Sequence, residues 1–127
     1  MIDTDCTPKE PAPAKKHNKL LSDLPPKSFD WRDQKVLTQP KNQGFCGAMW
    51  AFSAVGSLEA HWNIRKMGIP GITFAEQQLI DCSNPQFGCH YGTPASAFVI
   101  AKDVGGIVPD YSYPYMGTEG QCKINLN

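Results

Sequence analysis

Five cysteines, at 6, 46, 82, 89 and 122, and three histidines, at 17, 61 and 90, are the residues of this 127-residue chain best suited to covalent, redox or metal chemistry. Four cysteines can close two disulfides in any of three pairings, and an odd fifth is then left over. A metal reading of Cys82, Cys89 and His90 fails, because Cys-x6-Cys-His does not match zinc-ligand spacing. No cofactor or metal is expected. The richest stretch is Asn42-Gln43-Gly44-Phe45-Cys46-Gly47-Ala48-Met49-Trp50-Ala51-Phe52-Ser53, a glycine-bearing loop that runs directly into an apolar segment. A group at such a helix start meets the positive end of the helix dipole, which favours an anion or a thiolate.

Three helices are predicted to position these residues. Met49 to Lys66 has no proline and one internal glycine, and Ala51, Val55, Leu58 and Trp62 recur at i, i+4, i+7 and i+11. It should stop near Met67-Gly68, before Pro70. Phe74 to Cys82 is the second, with Thr73 and Glu76 at capping-box spacing. A third begins at Thr93-Pro94, an N-cap followed by a first-turn proline, and ends at Gly105-Gly106. Residues 107–115 read as short extended segments and turns. Residues 1–28 differ from the rest, with five prolines, five lysines and four acids, and read as a flexible linker.

Composition narrows the function classes. Twelve basic and twelve acidic side chains cancel, which removes the clustered cationic face that nucleic acid or an anionic membrane needs. No apolar run approaches the ~18 residues of a membrane span. Neither partner is expected. The cysteine count suits an oxidising compartment, although the first 20 residues lack the apolar stretch of a secretory signal.

Several motifs in order resemble the papain family of cysteine proteases. Gln43 to Trp50 is similar to the signature around the family's nucleophile. Asp30-Trp31-Arg32 resembles its mature N-terminus, Glu76 to Cys82 its second helix, and Tyr113-Pro114-Tyr115 with Cys122 the end of its first domain. The resemblance implies an α+β papain-like peptidase fold of which only the first, mainly helical domain is present. Residues 1–28 become a pro-region remnant or linker, and 29–127 the helical domain without its β-rich partner. It also implies disulfides Cys46–Cys89 and Cys82–Cys122, with Cys6 left over, and an extracellular or lysosomal location.

The resemblance makes Gln43 the amide donor of the oxyanion hole and aligns Met49 with the catalytic cysteine. A thioether has no ionisable proton, so nucleophilic catalysis of the family type is lost. The family's histidine and asparagine lie ~130–150 residues downstream, whereas 78 residues follow Met49 in this chain. Both are therefore expected to be absent. Gly92 matches the glycine that lets an extended substrate backbone approach, while Tyr91 replaces its neighbouring glycine and could narrow the groove. Thr93 and Pro94 would border a substrate pocket, or serve only as N-cap and first-turn proline. Gly47 and Trp50 are equally open between substrate contact and core.

The expected function is a degenerate, truncated homologue, inactive as a peptidase, that binds peptides, protease inhibitors or a partner chain. The alternatives are a fragment, or one chain, of a longer thiol protease. Half a fold should also leave the first turns of the long helix, Met49 to Val55, as an apolar surface prone to self-association.

Overall fold

The computed structural model describes residues 25–66, 70–83 and 85–125. Cys6, His17, most of the proline-rich segment and the Met67-Gly68 helix stop lie outside them. Three helices follow one another: α1 (Met49–Ile64), α2 (Glu76–Cys82) and α3 (Pro94–Asp103), then a 3-10 turn at Asp110–Ser112. Each helix packs on the other two. The extended backbone contributes one antiparallel bridge, Phe74 to Pro109, so the regular structure among the described residues is almost all helical.

α1 is the central element. Trp50, Ala51, Ala54 and Val55 are no more than 2% exposed, which corrects the expectation that the first turns form an apolar surface. The chain covers these turns itself, because Leu79 and Ile80 of α2 and Ala97 of α3 join them in one core. Met49, at 69% exposure, stays in solvent, and the half-buried Phe52 ring stands edge-on to Tyr115 at 5.0 Å. α1 ends at Ile64 rather than Lys66. Lys66 takes a left-handed φ of 52° and donates its N–H to Asn63 O, so the helix terminates before the glycine.

α3 follows its local signals. Thr93 Oγ1 accepts the Ser96 N–H at 3.1 Å, Pro94 occupies the first turn, and Gly105 and Gly106 take positive φ just past the end.

α2 does not begin where the capping-box spacing puts it. Its N-cap is Ala75, extended at ψ 99° and without a side-chain cap, and Thr73 makes no such contact. Phe74 is held in the bridge with Pro109, the Ala75 N–H bonds to Val108 O, and the Glu76 carboxylate turns away to Lys41. Tertiary pairing has displaced the local motif.

Lys41 ties α1 to α2. Its Nζ lies 2.6 Å from Glu59 Oε1 and 2.6 Å from Glu76 Oε1. Glu59 is 1% exposed and also accepts from Thr38 Oγ1 at 2.5 Å and from the Phe74 N–H at 2.8 Å. Burial lowers the Lys41 ammonium, but hydrogen bonds to Glu59 and Glu76 outweigh it and hold the group above its ordinary value. Burial holds the Glu76 carboxyl above its usual range, against the pull of Lys41. A carboxyl raised in the fold takes up its proton more readily there, so the Glu76 contribution favours folding as pH falls through that range. An ammonium raised in the fold keeps its contribution at neutral pH and loses it only above 10.5.

Lys41→Met strands two buried carboxylates and should lower the unfolding free energy at pH 7 by about 3–5 kcal/mol. Urea denaturation measures it, and the loss should shrink toward pH 4 as Glu76, whose carboxyl is held above its usual range, takes up a proton. A variant as stable as the wild type at pH 7 would refute this account of the ion pair.

Candidate functional site

The loop before α1 is fixed from both sides. Gly44 adopts a positive φ of 61° and its N–H bonds to Asn42 Oδ1 at 2.8 Å, which turns the chain back on itself. Tyr115 Oη donates to the Gln43 carbonyl at 2.6 Å, and Gln43 Nε2 donates to Cys46 O at 3.0 Å. Burial, and then the nearby Glu76, push the Tyr115 phenol up, which keeps it a protonated donor. Gln43 is thus anchored through its backbone, and one of its two amide hydrogens is already engaged.

Facing this loop is the segment 87–94. The disulfide Cys46–Cys89 joins the two, and Cys82–Cys122 ties the end of α2 to the C-terminal tail. These pairings are the ones the resemblance implies. Beside the first disulfide the Gly47 N–H donates to Cys89 O at 2.8 Å. A Cβ on Gly47 would stand 2.3 Å from that oxygen, so the junction requires glycine.

Trp50 is core, 2% exposed, and its indole N–H donates to Gly88 O at 3.1 Å. Gly92 lies flat on the Trp50 ring, where a Cβ would meet ring carbons at 2.4 to 2.7 Å. Phe87 tilts against Trp50 at 5.9 Å, and Tyr91 stands edge-on to Phe87 at 5.9 Å with over half its surface exposed. The Tyr91 ring therefore rests on an aromatic neighbour. Gly47, Trp50 and Gly92 each have a packing reason for their identity, Thr93 caps α3, and Pro94 opens it.

Met49 is the first residue of α1, and no acidic side chain stands in that first turn to offset the dipole. Two histidines, His61 and His90, fall among the described residues. His61 lies about 18 Å further along α1 at 1.5 Å per residue. His90 is 90% exposed and 3.7 Å from Glu119. No group of three or more potential metal ligands occurs among the described residues, and none of their helices is long and apolar enough to cross a membrane. The sequence singles out the loop, and the resemblance the disulfides, Trp50 and Tyr91, but neither points to Glu119 or to the role of Tyr115. Glu119 gives no local signal, because its partner Cys89 is 30 positions away.

Residues 25–127 match the family model described as papain family cysteine protease. A viral cathepsin of Orgyia pseudotsugata multicapsid polyhedrosis virus is 44% identical over 105 residues, covering 83% of this chain and 32% of the relative. A thiol protease aleurain-like of Arabidopsis thaliana is 40% identical over 116 residues, covering 90% and 32%. Among solved structures, the proform of a ragweed pollen allergen cysteine protease, Amb a 11, is 42% identical with a TM-score of 0.68, covering 74% of this chain and 29% of that one. Bromelain from Ananas comosus in complex with the E64 inhibitor is 38% identical with a TM-score of 0.71, covering 79% and 45%. The chain spans about a third of the length of the curated relatives it matches. The three helices are the helical first domain of the fold these structures share.

Two substitutions test the geometry. Met49→Cys should give a thiol that titrates below ~8.5, since the helix start favours its thiolate; a value at or above that, read from pH-dependent alkylation, would contradict the assigned environment. Gly92→Ala drives a methyl into the Trp50 ring and should cost about 1–3 kcal/mol in urea denaturation. A neutral result would mean that the 87–92 loop does not rest on Trp50.

Proposed function

The chain belongs to the papain family of cysteine proteases, and from that membership we propose that it is a catalytically silent homologue whose retained wall binds extended peptide or protein ligands. Met49 is the observation that carries this reading. On this reading it takes the place of the family's nucleophile; it stands exposed at the dipole-favoured helix start, yet its thioether has no proton to lose. Attack by that sulfur would give a sulfonium rather than a thioester.

On this reading Gln43 keeps its second amide hydrogen for a ligand oxygen, and Gly92, Thr93 and Pro94 offer backbone and a short border to an extended chain. Exposed Phe45, Met49 and Tyr91 supply the apolar surface for a peptide, a protease inhibitor, a second chain or a second copy. The two disulfides agree with an oxidising compartment, and family membership extends this to an extracellular or lysosomal one. A second reading, that this is part of a longer thiol protease or one chain of a two-chain molecule, is favoured by the one-third coverage of the relatives. In that molecule too, residue 49 would supply no thiolate.

Purified chain, with and without a thiol reductant, should hydrolyse a peptide amide no faster than buffer. An NMR titration with N-acetyl-Leu-Phe-Ala-amide should shift the Gly92, Thr93 and Ala48 amides. Thiol-dependent turnover would overturn silence, and unshifted amides at millimolar peptide would overturn binding.

A further inference from the structure

The 87–92 loop, which would meet a ligand in the reading above, is held by the Cys46–Cys89 disulfide, by packing on Trp50 and by four hydrogen bonds to residues outside it. Three are neutral: the Trp50 indole to Gly88 O, the Gly47 N–H to Cys89 O, and the Gly88 N–H to Ser83 Oγ at 3.0 Å. The fourth is charged. Glu119 Oε1 accepts the Cys89 N–H at 2.6 Å, and that oxygen fills the space beneath Gly88, where a Cβ would stand only 2.2 Å away. Gly88 itself sits at φ +54°, so the loop is shaped around the carboxylate at a position that tolerates little else.

We propose that Glu119 is a positioning residue for the ligand-binding wall: from the C-terminal tail it clamps the Cys89 amide and fixes the 87–92 loop against Trp50. This proposal rests on the peptide-binding reading. The tail can bear the load because it is itself anchored. The Gly120 N–H bonds to Asp81 Oδ1 at 2.8 Å, the Thr118 carbonyl accepts Gln77 Nε2 at 2.7 Å, and Cys122 is in disulfide with Cys82. Glu119 thus reaches from a segment fixed on α2 to the loop that packs on α1. A carboxylate acceptor makes a shorter and stronger bond to a backbone N–H than a neutral oxygen does. Its side chain remains 29% exposed, so the clamp closes at the surface rather than in the core. Removing it should therefore loosen the loop without unpacking the helices.

Backbone amide exchange of the peptide-free 127-residue chain tests the clamp directly. In Glu119→Ala the Cys89 amide should exchange about tenfold faster, while the Val55 and Leu79 amides keep their wild-type protection. Glu119→Gln retains an oxygen that accepts the same N–H and should recover most of that protection. Gly88→Ala, whose Cβ collides with the same oxygen, should expel the carboxylate and reproduce the loosening. In the peptide titration, Glu119→Ala should weaken N-acetyl-Leu-Phe-Ala-amide about threefold or more, and Glu119→Gln much less. Unchanged Cys89 exchange in Glu119→Ala, or wild-type peptide affinity in a variant whose loop has loosened, overturns the proposal. A wild-type chain that binds no peptide overturns the binding reading instead, and the exchange data then decide the clamp by themselves.

Discussion

α2 is a seven-residue helix whose first six side chains are all buried, and four of them are polar or charged. Groups of that kind cannot be left unpaired inside a protein, so each must fetch a partner from elsewhere in the chain. Glu76 takes Lys41. Gln77 takes the Thr118 carbonyl and the Met116 N–H. Gln78 takes Gly106 O and the Val108 N–H. Asp81 takes the Tyr113 hydroxyl and the Gly120 N–H. These contacts bring in the segment before α1, the turn after α3 and the C-terminal tail, so one short helix anchors three described segments that are not themselves helical. Tyr113 shows how strongly: burial, followed by the Asp81 contact, pushes its phenol up to about 12.

From that hub the site follows. The tail held by Gln77 and Asp81 carries Tyr115 and Glu119, which fasten the two loops of the candidate wall, at Gln43 O and the Cys89 N–H respectively. The disulfide Cys46–Cys89 joins those loops to each other. A chain of about 40 residues closed by such a bridge gains about 4 kcal/mol in the loop-entropy model. That gain suits a wall built from loops, which have few apolar contacts of their own.

What was legible in the sequence depended on how local its cause was. α3 could be read at both ends, because Thr93, Pro94, Gly105 and Gly106 act within a few residues of one another. The body of α1 was legible from its apolar recurrence, but which elements cover its first turns was not, since α2 and α3 arrive from later in the chain. The start of α2 was misread because Thr73 and Glu76 have the right spacing for a cap, while the Lys41 partner that claims Glu76 lies 35 positions away. The disulfide pairing came from family resemblance, as spacing leaves three choices. Gln77 and Gln78 carry no periodic signal at all, because polar side chains in a core are recognised only through what they bond to.

The same logic separates the fold from the chemistry. Gly47 and Gly92 are closed to substitution by backbone and ring atoms under 3 Å from any added Cβ, and Trp50, against which Gly92 lies, is buried. Met49, one residue from Trp50 in sequence, points into solvent, and only its backbone is needed to start α1. A side chain that makes no demand on packing can change from thiol to thioether without disturbing the loop, the helix or the disulfides around it. On the proposed reading, the position that decides whether the chain can cut a peptide is therefore the position on which its structure depends least. Gly47, Trp50 and Gly92, which shape the proposed wall, are by contrast residues the fold cannot give up.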